Sequence, residues 1–169
     1  MNSYRTHTCS ELRAANIGKP TTLIGWVDSV RDHGGVIFID LRDRSGITQV
    51  VFHPEVNQDV AKASQQLRSE DMIQISGTVA ARLKTDTVDT TNADLPTGEI
   101  EVSADTLNVI NKADVLPFQL DRALSNEDLR LKYRFLDLRR PSMVRNMQIR
   151  HRVTKTTRCL LYTSDAADD

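Results

Sequence analysis

TTLIGWVDSVRDHGGVIFIDLRDRSGITQVVF, residues 21–52, is the stretch on which the fold turns. It alternates apolar and polar side chains and is rich in β-branched residues, the signature of strands with one buried face. RDHGG (Arg31–Gly35) reads as the loop between a first and a second strand. Asp43-Arg44-Ser45-Gly46 reads as a tight turn into a third strand, with Gly46 free to take φ > 0. Alternation along VIFIDL puts Ile37, Ile39 and Leu41 on the core face and Val36, Phe38 and Asp40 on the other.

Outward from this stretch, Pro54 stops the third strand. EVNQDVAKASQQLRSE (55–70) then has Val56, Val60, Ala63 and Leu67 at helical spacing. MIQISGTVAAR (72–82) and EIEVSADTLNVI (99–110) supply a fourth and a fifth strand, separated by a polar stretch from Leu83 to Gly98. A short helix around Ser10–Ala15, capped by Ser10 or Thr8, is expected ahead of them. The chain is therefore mainly β. Three strands, a helix and two strands is the order of the five-stranded Greek-key OB barrel, whose binding surface is the face of strands two and three with loops Arg31–Gly35 and Leu83–Gly98. A simple five-strand sandwich is the alternative.

The pattern changes after residue 112. Residues 113–140 read as a linker or hinge with one short helix starting at Ser125, and Pro141 suits the first turn of a further helix through residue 158. Charge is segregated in the same way. The net charge is −6 over residues 1–121, +8 over residues 122–158 and −3 over the last eleven residues. A basic segment of this kind faces phosphates or is a solvated helix, and charge alone does not choose. At 39% hydrophobic the 169 residues can bury a core, and no apolar run is long enough to span a bilayer. The N-terminus lacks the pattern of an export signal, so a cytoplasmic location with no membrane partner is expected. Two cysteines, Cys9 and Cys159, and four scattered histidines exclude a disulfide scaffold and a Cys-rich zinc site.

Phe38 shares its face with Asp40, close to Arg31 and opposite Gln49 or Val51. An aromatic ring with a guanidinium and an amide around it suits an unpaired base, which needs a π face to stack on and partners for its Watson–Crick edge. Packing of Phe38 under the Leu83–Gly98 loop is the competing reading. Trp26 is expected in the core. His33 is either solvated or stands at the lip of the groove, where it would gate which base fits. Glu99 and Glu101 share a face of the fifth strand, but nothing nucleophilic lies near them in sequence. No phosphate-binding loop, nucleophile elbow or metalloprotease motif is present, so the chain reads as a binding module.

The runs GWVDSVRDHGGVIFIDLRDRSGITQVVF, SGTVAAR, TGEIEV, INKADVLPF and EDLRLKYRFLDLRRPSM together resemble the N-terminal part of bacterial-type aspartyl-tRNA synthetases, over about residues 4–158. The resemblance implies an anticodon-binding OB domain (1–112), a hinge (113–140) and the first helix of a truncated class II catalytic domain (141–158). It also implies that Phe38 stacks on the central uracil of the anticodon beside Arg31 and Gln49, and that Glu101 lies near the wobble base. His33 followed by glycine is similar to family members that charge both tRNA(Asp) and tRNA(Asn). The resemblance further implies a full-length enzyme that acts as a homodimer and uses ATP and Mg²⁺ to join aspartate to tRNA. No cofactor is expected within this segment. A free-standing OB nucleic-acid-binding module is the alternative, against which the RLKYRFLDLRR linker argues. CLLYTSDAADD (159–169) departs from the family and resembles the translation of a transposase-based sequencing adapter, so it is expected to be non-native.

Overall fold

The structure is a computed structural model that describes residues 4–83, 89–120 and 125–163. The chain forms two compact units, Met1–Asp114 and Val115–Asp169.

The first unit is a five-stranded sheet: β1 (Pro20–His33), β2 (Val36–Arg42), β3 (Ile47–Phe52), β4 (Met72–Ala81) and β5 (Ile100–Asn111), with helix α1 (Gln58–Ser64) between β3 and β4. The strands pair in the cyclic order β1-β2-β3-β5-β4 and back to β1. Every pairing is antiparallel except β3 with β5, whose short parallel contact sets Val50 beside Val102 and Val51 beside Ser103. Closure leaves one enclosed face, filled by Leu23, Val27, Ile37, Ile39, Leu41, Ile73, Ile75, Ile100 and Val102, all at most 1% exposed. Each such side chain contributes about 1.5–3 kcal/mol by leaving water. Ile37, Ile39 and Leu41 are buried and Phe38 and Asp40 are not, as the alternation of β2 requires.

Cys9 and Leu12 belong to the same core. The Thr48 hydroxyl donates to the Cys9 carbonyl at 2.7 Å, and the Cys9 N–H donates to the Asp43 carboxylate at 3.0 Å. This N-terminal segment lies over β3, so Thr48 is as buried as Val50.

Several local expectations are corrected. The chain turns between β1 and β2 over Gly34 and Gly35 alone, with φ of +66° and +92°. A two-residue hairpin that matches strand twist requires such angles. Arg31 and His33 therefore sit in β1, not in a loop. Gly46 does not take positive φ. Its turn is held by Asp43, which accepts from the Ser45 N–H, the Ser45 hydroxyl and the Gly46 N–H. Glycine is needed there because a Cβ would come within 2.8 Å of the Ser10 side chain. The helix expected at Ser10–Ala15 is a single 3₁₀ turn, Ala14–Asn16.

Helix α1 spans seven residues, capped by the Asn57 side chain, which accepts from the Asp59 and Val60 N–H groups. Ala61 and Ser64 are its buried positions, followed by Leu67 just beyond, whereas Val56 and Ala63 face solvent. Trp26 is half-buried on the outward face of β1, because Leu23, Gly25 and Val27 take the inward positions.

The second unit carries α2 (Glu127–Lys132), α3 (Arg134–Asp137) and α4 (Pro141–Thr163). Asn126, not Ser125, caps α2 by accepting from the Asp128 N–H at 2.9 Å. The fully buried Asp137 carboxylate gathers Arg134 at 2.5 Å, Arg140 at 3.1 Å and Arg130 at 3.9 Å. Arg140 also lies over the Phe118 ring, 5.5 Å from its centroid. Three of the eleven basic side chains of residues 122–158 are thus paired inside the unit. Helix α4 continues through residues 159–163, and residues 164–169 of the expected non-native tail lie outside the described residues. No helix among the described residues is long and apolar enough to cross a membrane.

Candidate nucleic-acid interface

The outward faces of β1, β2 and β3 meet the polar segment after β4 in an open groove of about 510 Å³, lined by Arg31, His33, Phe38, Gln49, Arg82 and Asp89–Asn92. Residues 84–88 of the expected Leu83–Gly98 binding loop lie outside the described residues. Strand register explains the grouping. Arg31 pairs directly with Phe38, and Phe38 with Val51, so the guanidinium and the ring project from one face. One step along, Ser29, Asp40 and Gln49 form a second cross-strand row.

The floor is an aromatic surface bordered by polar groups. The His33 ring meets the Phe38 ring edge-on, with centroids 5.4 Å apart and planes at 77°. Phe38 keeps partial exposure, which separates it from the buried isoleucines on either side. Arg31 Nη2 donates to Asp40 Oδ1 at 2.8 Å and to Gln49 Oε1 at 3.3 Å. Gln49 Nε2 in turn donates to Glu101 Oε2 at 2.8 Å. A guanidinium only donates and an ionised carboxylate only accepts, so these partners fix which way the amide points. The amide keeps one lone pair on Oε1 and one hydrogen on Nε2, an acceptor and a donor side by side.

Four of the five residues singled out from the sequence, Arg31, His33, Phe38 and Gln49, line this groove. Glu101 stands behind Gln49 as its hydrogen-bond partner. Glu99 is not part of the same group. It precedes β5, is exposed, and lines a neighbouring depression that shares Thr91 and Asn92 with the groove.

The residue that sequence reasoning missed is Arg82. It is only 7% exposed, yet it lines the groove. Its Nε donates to the Ile100 carbonyl at 3.0 Å and its Nη1 to the Thr90 carbonyl at 3.3 Å, tying the loop to the start of β5. Nη2 has no partner among the described residues. Burial lowers the Arg82 pKa, opposed by the carboxylates of Asp40 and Glu101 and reinforced by Arg31. A buried guanidinium with an unused donor is an anchor for an acceptor edge or a phosphate oxygen. Its one sequence signal is an arginine closing a strand just before a polar loop, which ordinarily marks a solvated end.

Among the described residues no cluster of His, Cys, Asp or Glu could hold a metal ion. The groove therefore combines a stacking surface, two guanidiniums and an oriented amide, which together can bind an unpaired base by stacking and edge recognition.

The chain is 48% identical over 158 residues to the aspartate–tRNA(Asp/Asn) ligase of Methylacidiphilum infernorum (isolate V4), covering 94% of this chain and 26% of that protein. It is 51% identical over 158 residues to the ligase of the same name from Salinibacter ruber, covering 90% of this chain and 24% of that one. The chain spans about a quarter of the length of these curated relatives. The crystal structure of asparaginyl-tRNA synthetase from Pyrococcus horikoshii complexed with asparaginyl-adenylate matches with a TM-score of 0.77 at 26% identity, over 92% of this chain and 34% of that one. Residues 21–110, more than half of the chain, match the model of the tRNA anticodon-type OB-fold nucleic acid binding domain, and the chain belongs to that family.

Proposed function

We propose that this chain reads the anticodon loop of tRNA(Asp), and also of tRNA(Asn), for an aspartate–tRNA ligase. The observation that carries the reading is the groove in which Phe38, Arg31 and Gln49 converge, with the Gln49 amide locked between Arg31 and Glu101. Phe38 is the platform for the central base. The paired acceptor and donor of Gln49 complement the N3–H and a carbonyl oxygen of uracil, whereas cytosine presents an acceptor at N3. Glu101 serves the wobble side and His33 the choice between tRNA(Asp) and tRNA(Asn).

The whole ligase would join aspartate to tRNA with ATP and Mg²⁺, as a homodimer in the cytoplasm. Residues 141–158 would begin its catalytic domain. No step of that chemistry is assigned to residues of this chain.

The test is titration of the protein with anticodon stem-loops by fluorescence anisotropy. A GUC loop is expected to bind more tightly than a GCC loop, with an affinity that falls as salt rises. Phe38→Ala should weaken the GUC complex about 5- to 150-fold, since base stacking on an aromatic is worth about 1–3 kcal/mol. Equal binding of GUC and GCC loops by the unaltered protein would refute the reading.

A further inference from the structure

We infer that Asp40 is a positioning residue for base discrimination, acting through Arg31 and Gln49 without lining the groove itself. This inference rests on the anticodon reading above and names the group that gives that site its selectivity.

Asp40 sits in the middle of the Ser29–Asp40–Gln49 cross-strand row, between the strands that carry Arg31 and Gln49. Its two carboxylate oxygens have different tasks. Oδ2 accepts from the Ser29 hydroxyl at 2.7 Å, which fixes the carboxylate plane. Oδ1 accepts from Arg31 Nη2 at 2.8 Å, the same nitrogen that reaches Gln49 Oε1 at 3.3 Å. The side chain of Arg31 is 47% exposed and that of Asp40 only 22%, so the mobile cation is held by the more sheltered anion. A long arginine side chain at that exposure has many rotamers of similar energy, and a charge-assisted bond to a fixed acceptor selects one. Without Asp40, Arg31 keeps only its longer contact to Gln49 Oε1 at 3.3 Å, and the Gln49 amide, still directed by Glu101, loses a firmly held donor on its oxygen.

Asp40 is not among the residues lining the groove. Its charge also opposes an incoming polyanion. Simple electrostatics and positioning therefore predict different outcomes for its removal. If Asp40 contributed only charge, Asp40→Ala would tighten every RNA complex alike, because net positive charge in the groove rises. If Asp40 positions the readout, the variant instead loses preference for the correct central base.

The experiment measures the affinity of the protein for GUC and GCC stem-loops at two salt concentrations, in the unaltered protein, Asp40→Ala, Asp40→Asn, Arg31→Ala and the Arg31→Ala/Asp40→Ala double variant. The GUC-over-GCC preference is expected to fall about tenfold in Asp40→Ala, the scale of losing one oriented pair of base contacts. Asp40→Asn, which keeps an acceptor for Arg31, should retain an intermediate preference. In the Arg31→Ala background, removing Asp40 should change the preference no further, because neighbours in one network are non-additive. A preference unchanged in Asp40→Ala while both affinities shift together overturns the inference. So does an equal further loss in the double variant, which would mean that Asp40 acts by another route. Thermal melts of each variant identify a loss due to unfolding, in which case the preference of the folded Asp40→Asn protein decides. Absence of any preference in the unaltered protein defeats the anticodon reading itself, and this inference with it.

Discussion

At the scale of single residues, His33 shows how a sequence feature acquires a physical role. Its ring packs edge-on against Phe38 and lines the groove, so it borders the platform on which a base would lie. Leucine would keep the bulk and lose the ring nitrogens. The expected outcome of His33→Leu is a loss of binding to a GUU loop, the asparagine anticodon, relative to a GUC loop. One neutral hydrogen bond corresponds to a change of about 2- to 10-fold in that ratio. Parallel titrations of the two loops check it, and an unchanged ratio would remove His33 from the choice between tRNAs. Phe38 was legible because alternation along β2 leaves it off the core face. The contact of Gln49 with Glu101 was not, because it joins residues 52 positions apart through the parallel β3–β5 pairing. Arg82 was not legible either, since nothing in its spacing distinguishes a strand-end arginine that turns inward from one that reaches into water.

At the scale of elements, strand existence and order followed from period-two patterning, while lengths and ends were decided by close contacts. Helical periodicity over residues 55–70 overstates α1, because Asn57 caps the chain after the first apolar position and the helix ends at Ser64. The face turned to the sheet is then set by Ala61, Ser64 and Leu67. The β4–β5 ladder shifts register between Ser76 and Gly77, a bulge that bends the pair. A Cβ on Gly77 would stand 2.1 Å from the Ser103 carbonyl oxygen, which has no room to withdraw without breaking the ladder. Gly77→Ala is therefore expected to destabilise the protein by about 1–3 kcal/mol, the scale of overpacking. Urea denaturation measures it. A change within experimental error would mean that the bulge can open at no cost.

At the scale of the whole molecule, the near balance of charge is an average over unlike parts. The basic stretch is not a free phosphate-binding surface throughout, because Arg130, Arg134 and Arg140 converge on buried Asp137. Stability should depend on pH at both ends. Burial, together with the nearby Asp43 carboxylate, pushes the Cys9 thiol from 9.0 up to about 12. The unfolded chain releases this proton first, so the contribution is complete below pH 9 and is lost as pH rises toward 12. Denaturant midpoints between pH 8 and 11 should fall, and Cys9→Ala should flatten that slope although its packing lowers the starting value. An identical slope in the variant would assign the alkaline loss to other groups. At the acid end, burial raises the Asp43 carboxyl, but hydrogen bonds from Ser45, the Cys9 N–H and Gly46 outweigh it and hold the pKa below its usual value. Its contribution is present above the ordinary carboxylate range and disappears as pH falls through the lowered pKa.

The sequence by itself determined the mainly β character, the strand order, the inward residues of β2 and the position of Phe38, because alternation and turn chemistry are local and need only a few neighbouring residues. Only the tertiary structure decided that Arg31 and His33 belong to β1, that Glu101 orients Gln49, that Arg82 is buried in the groove, and that Asp40 anchors Arg31. Each of these depends on which strands lie side by side and in what register. The closing β3–β5 pair brings together chain segments about 50 residues apart, a distance over which no periodicity carries information.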